Sequence, residues 1–138
     1  MKDPQVDLQP ALVAAARASA AVGAVIGTGE ACRFYDRAPA NPTYPMATLG
    51  PMQTVPDYTG CGALPEVFVQ IDCWSTAVGF REARTLARAL AQALDAALTV
   101  TGWTVAIHAV QSIDTRREAD NLTSRAILRL RYVLRPAA

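Results

Sequence analysis

"EVFVQIDCWS", residues 66–75, is the stretch on which the fold turns. Val67, Val69, Ile71 and Cys73 fall on one side of it, and Glu66, Phe68, Gln70, Asp72 and Trp74 on the other. That two-residue period belongs to a strand with one face in a core. The second face is the odd one, because it mixes charge with two large aromatics. Strand parity alone leaves open which of the two faces the rest of the chain covers.

Working outward, "GFREARTLARALAQALDAAL" (79–98) is the clearest helix. Ala83, Leu86, Ala87, Leu90, Leu94, Ala97 and Leu98 share one stripe, and Arg81, Arg84 and Arg88 lie away from it. Glu82 suits the first turn, where the helix dipole favours a carboxylate. Upstream, Leu8 to Ala21 is alanine-rich and helix-prone, with Asp7 as the expected cap and Pro10 in the first turn.

Between the two helices, "RFYDRAP" and "MATLGPM" read as strands, the second bulged or broken at Gly50-Pro51. Gln53 to Pro65 reads as a polar Gly/Pro-rich loop that includes Tyr58. After the second helix, "WTVAIHAVQSI" places Trp103, Val105, Ile107 and Ala109 on one face. A charged turn, Asp114 to Asn121, leads to "LTSRAILRLRYVLR". There Leu128, Leu130, Tyr132 and Leu134 alternate with Arg129, Arg131, Val133 and Arg135. Strands that follow one another without helices between them pair antiparallel. The expected fold is therefore α+β, a mostly antiparallel sheet with two helices packed on one face, and residues 1–138 form a single domain.

The totals narrow the function. Net charge is +1, which gives no overall attraction for nucleic acid. Three cysteines, Cys32, Cys61 and Cys73, are too few and too irregular for a disulfide framework. Lys2 is followed by Asp3 and Pro4 and not by an apolar run, so a soluble protein of a reducing cytoplasm is expected. The lone histidine, His108, has no orienting partner or nucleophile beside it in sequence, and reads as structural or surface. Asp114, Glu118 and Asp120 are interleaved with Arg116 and Arg117, so they read as a solvated turn and not as a metal site. "GAVIGTGE" lacks the lysine of a phosphate loop. No cofactor, metal or catalytic residue is expected. Arg125, Arg129, Arg131 and Arg135 share one strand face, which reads as a protein interface or a solvated face before a DNA contact.

Taken in order, "LQPALVAAARASAAVGAVIG", "RFYDRAP", "YPMATLG", "VFVQIDCWSTAVGFREARTLARALAQAL" and the closing pair of strands resemble the small tail-completion or tail-terminator proteins of long-tailed phages, prophages and gene transfer agents. The resemblance runs from about Leu8 to Arg135 and is most specific from "QIDCWS" through "GFREA". It implies a structural protein that forms a ring, usually of six copies. The ring caps the tail tube, meets the head's connector or stopper protein, and sits in the virion neck after assembly in the bacterial cytoplasm. DNA passes through its lumen without specific binding.

A ring needs two different surfaces per copy, one for each neighbour. Phe68, Gln70, Asp72 and Trp74 are candidates for one, because aromatics are favoured interface anchors. Tyr58 in the loop, Arg81, Arg84 and Arg88 on the helix, and Arg125, Arg129 and Arg131 on the last strand complete the candidate set. If the last strand lines the lumen, Arg129 and Arg131 are expected to pair with acids of a neighbouring copy. The rival classes are another neck or tail component, such as a head-completion protein or tube subunit, and a small ligand-binding or enzymatic domain seeded by His108.

Overall fold

The computed structural model describes residues 3–56 and 64–137. Tyr58 and Cys61 lie outside the described residues. The elements, in chain order, are α1 (Pro4–Ala18), α2 (Ala20–Ile26), a short 3-10 turn (Gly29–Ala31), β1 (Phe34–Tyr35), β2 (Met46–Val55), β3 (Glu66–Ser75), α3 (Arg81–Leu94), β4 (Trp103–Arg117) and β5 (Ser124–Pro136).

The strands form one sheet in the order β1-β2-β3-β5-β4. Three pairings are antiparallel, and β1 lies parallel to β2, so the sheet is mixed. The alternation in β3 is resolved in favour of its aliphatic side: Val67, Val69, Ile71 and Cys73 are buried under the helices. Their neighbours across β5 are Tyr132, Leu130, Leu128 and Ala126, all fully buried. The core is this aliphatic face together with Leu8, Leu12, Val22 and Ile26 of α1 and α2 and the broad apolar stripe of α3. Burial pushes the Cys73 thiol far above its ordinary pKa, with the Asp72 charge adding to it, so Cys73 behaves as a small hydrophobe.

Among the described residues, three helices, not two, cover that face. The expected first helix is two, with an 82° bend between them. The break is chemical: the Ser19 side chain accepts from the Val22 amide and opens α2, while its own N–H bonds Ala16. Asp3 caps α1 in place of Asp7, by accepting from the Gln5 amide, and Pro4 takes the first helical position. Asp7 instead accepts from the Trp103 indole at 2.9 Å, and Gln5 donates to Thr54 at 2.8 Å. These two bonds tie the start of α1 to one end of the sheet. Pro10 stands inside the helix, where it has no N–H to give the carbonyl of Val6; Val6 is on the solvent side. No single helix among the described residues is long and apolar enough to cross a membrane.

The remaining differences concern boundaries. Gln53 to Val55 belong to β2, paired with Phe68 to Glu66, and not to the loop. β4 continues through Arg117, so the hairpin turn is Glu118 to Thr123. Asp120 organises that turn by accepting from the Leu122 and Thr123 amides, and these bonds hold its carboxyl below the ordinary range. α3 stops at Leu94, which leaves Ala97 exposed and Leu98 beyond the helix. In β4 the register slips between Val105 and Ile107 and again between Val110 and Ser112. Ile107 and Ala109 thereby swing to the outer face, and Val110 and Ile113 take the core side.

Tyr132, fully buried in β5, donates its hydroxyl to the Leu94 carbonyl at the end of α3. Burial, then the nearby Asp95 charge, raises its pKa above the ordinary 10.0. A phenol held neutral in the fold stabilises it below the unfolded pKa, and that contribution is lost as pH rises toward the folded value. Unfolding free energy is therefore expected to fall as pH rises above about 10. Tyr132→Phe should flatten that alkaline slope in denaturant titrations, at a cost near neutral pH of about 1 kcal/mol.

Candidate functional site

The candidate site is the outer face of the sheet, the side opposite the helices. Each row across it is set by strand register. From one end to the other the rows read Val55–Glu66–Val133–Ile107, Gln53–Phe68–Arg131–Ala109, and Thr48–Asp72–Ile127–Asp114, ending in Met46–Trp74–Arg125–Arg116. Between the second and third rows, Gln70 and Arg129 stand beside Ser112. We call the Glu66 end of β3 the lower end and the Ser75 end the upper.

The upper rows hold a tight polar knot. Oδ1 of Asp72 accepts from Arg125 Nη2 at 2.9 Å, from Arg125 Nε at 3.1 Å and from Gln70 Nε2 at 3.1 Å. Asp72 is only 5% exposed. The Arg125 guanidinium also lies 4.9 Å from the centre of the Trp74 ring, in cation–π range. Trp74 in turn donates to Thr48 Oγ1 at 3.0 Å. Gly50 makes room for this: a Cβ there would sit 3.0 Å from Asp72 Oδ2, so the β2 bulge carries the one residue with no side chain.

Lower on the face, Arg129 Nη1 meets Asp114 Oδ2 at 3.1 Å, and Arg131 meets Glu66. All three arginines are thus compensated by acids of their own chain. This corrects the expectation that a neighbouring copy supplies those acids: β-pairing brings Asp72, Asp114 and Glu66 onto the same face as the arginines, within side-chain reach. Phe68 is half-buried at the floor of a shallow groove with Pro51, Gln53, Gln70, Gln111 and Arg129. Among the described residues, no helix crosses this face.

The family model of the tail completion protein gp17 matches residues 10–135. The chain belongs to the tail completion protein gp17 family. It is a structural protein of a phage-type tail or neck. A chain in the solved virion of a native gene transfer agent particle superposes on it with a TM-score of 0.85. The two are 25% identical, over 97% of this chain and 98% of that one. No curated protein matches it in sequence.

In this tail completion protein the other candidate residues are dispersed. Arg81, Arg84 and Arg88 are exposed on α3, on the helix side, away from the outer face. Arg84 and Arg117 each place a guanidinium against the Phe80 ring, at 5.1 and 4.8 Å, and Arg84 also donates to Thr115. His108 is on the helix side of β4, with Nδ1 2.7 Å from Asp95 Oδ1, in a half-exposed pair. That partner is 13 residues away in sequence and comes from the turn after α3, so the local sequence does not reveal it. Among the described residues no cluster of three or more potential metal ligands occurs.

Proposed function

We propose that this protein assembles into a closed ring, six copies being the reading that the family resemblance favours. The ring caps the finished tail tube and offers a surface to the head's connector or stopper protein. The observation that carries this reading is the outer face of the sheet, which no helix crosses among the described residues. It has the width of a whole five-stranded sheet, and its centre is a shallow aromatic groove at Phe68. A polar sheet face can stand in water; what favours a protein partner here is Phe68 in the central groove, since aromatics are favoured interface anchors.

The ion pairs support a second element of the reading, that DNA passes without specific binding. Arginines facing a channel unpaired would hold phosphate strongly at low salt. Arg125, Arg129 and Arg131 are each already matched by a carboxylate.

The test is electron cryo-microscopy of particles made without this protein. Tails of uncontrolled length, or tails unattached to heads, are the expected outcome; normal joined tails would overturn the proposal. Phe68→Glu is the matching point change. Phe68 is only partly buried, so the folded state of the variant is to be checked by its unfolding midpoint before the particles are examined. Particles carrying only that variant should show the same joining defect.

A further inference from the structure

Two features meet at the β4 edge of the sheet. The first is backbone. β4 pairs only with β5, so its other side has no strand partner among the described residues. Both register slips lie in the lower part of β4, and residues 112–117 pair with β5 without interruption. The upper part is therefore a regular, open edge. Such an edge presents a row of N–H and C=O groups and is a template for another chain.

The second feature is charge. α3 runs beside β4 on the helix side: Arg84 near its start donates to Thr115, and Asp95 just past its end pairs with His108. Arg88, one turn beyond Arg84, falls on the same exposed stripe. Arg117 stands opposite Ser124, hence on the helix side too, against the Phe80 ring. Among the described residues, no carboxylate pairs with Arg84, Arg88 or Arg117. The acids nearby are engaged elsewhere. Glu118 is held by Arg116 and Arg125, and Asp114 by Arg129. Asp120 accepts from turn amides, and Glu82, on the flank facing α2, accepts from Ser75. The arginines of the outer face are matched, and this row beside the open edge is not.

We infer that the open edge of β4 receives an extended, acidic segment of another virion protein. The edge selects a peptide over nucleic acid, because a peptide backbone matches the alternating donors and acceptors of a strand. The arginines select the acids, because a neutral or basic segment would leave guanidiniums desolvated without partners. Spacing agrees. Arg84 and Arg88 lie about 6 Å apart along the helix axis, and every second residue of a strand repeats at about 6.8 Å. Carboxylates at alternate positions of the incoming strand therefore reach both. This chain has one pair of acids two residues apart, Glu118 and Asp120, and both are tied into the hairpin turn. The partner is thus a different chain. The inference rests on the neck reading given above and names the chemistry of one partner.

Photo-crosslinking in assembled particles tests it. With Gln92 replaced by p-benzoylphenylalanine, a reactive ketone stands beside Arg88 at the next exposed position of the stripe. Illumination should give an adduct whose mass spectrum contains a peptide of a different virion protein with acids at alternate positions. The chain with Arg84→Glu and Arg88→Glu should keep its unfolding midpoint, since both side chains are exposed. It should either stay out of the particle or lose the adduct about tenfold or more, like charges being set face to face. Arg88→Glu alone breaks no ion pair among the described residues, and it repeats the measurement if the double variant folds poorly.

An adduct with DNA, with a second copy of this chain, or with a virion segment lacking such acids would overturn the inference. So would the absence of any adduct in particles that contain the protein, or an adduct undiminished by the charge reversals. None of these results touches the ring, which the particles made without this protein test separately. If those particles join normally while the acidic adduct forms in particles that carry the protein, the ring reading falls and the docked strand stands.

Discussion

Asp72→Ala is expected to destabilise the protein by about 3–5 kcal/mol, because it strips a buried guanidinium of its partner. The side chains of the pair are only 17% and 7% exposed, and the bond is a two-pronged one to a single oxygen. Removing the carboxylate also frees the Gln70 amide and leaves Arg125 held only by the Trp74 ring and a 3.8 Å approach to Glu118. Neither replaces a desolvated carboxylate. For a chain of this size the melting midpoint should fall by roughly 10 °C. Asp114→Ala provides the contrast. Its pair with Arg129 is 63% and 44% exposed, so the loss should be no more than about 1 kcal/mol. Replacing both partners, Asp72→Leu with Arg125→Met, should recover most of the stability, since a well-packed apolar pair avoids the desolvation cost. Equal losses from Asp72→Ala and Asp114→Ala in urea titrations would show that burial does not decide the matter.

Leu90→Ala should cost about 2–5 kcal/mol. Leu90 is fully buried in α3, which packs on β3 and β5 and also against α1 and α2. A cavity there is walled on both sides by secondary structure and has little room to collapse, which places the loss in the upper half of that range. Ala97, which sequence periodicity puts on the same stripe, is exposed beyond the helix end. Ala97→Ser should change the unfolding midpoint by less than about 0.5 kcal/mol equivalent. If the two substitutions have equal effects, the packing described for α3 is wrong.

What the sequence reveals is what local periodicity encodes. The aliphatic side of β3, the stripe of α3 as far as Leu94, and the leucine–arginine alternation of β5 are each written in a single run of residues. The helix break was legible too: Ser19 ahead of Ala20 is a cap signal, and Asp3-Pro4 is a better helix start than Asp7. Alanine content hid both, because it argues for helix without saying where one stops.

The two slips in β4 have no such signal. Nothing about Ala106 or Gln111 marks an extra residue, and the phase of Ile107 depends on register against β5. The same holds for the candidate site. Asp72 finds Arg125 across 53 residues of chain, through a β3–β5 pairing that only the assembled sheet specifies. Periodicity could place the arginines on one face but could not name the carboxylates opposite them.

β5 carries one more consequence. It is last in chain order yet lies between β3 and β4, and it hydrogen-bonds both. While the chain is being made, β3 and β4 have no common partner until Ser124–Pro136 has left the ribosome. Folding of the sheet therefore waits on β5, and the nascent chain has to be kept from sticking in the interval. A premature stop codon near Leu128 would not give a slightly trimmed protein. It would leave two open strand edges on an uncovered core, a substrate for proteases and inclusion bodies in place of a subunit.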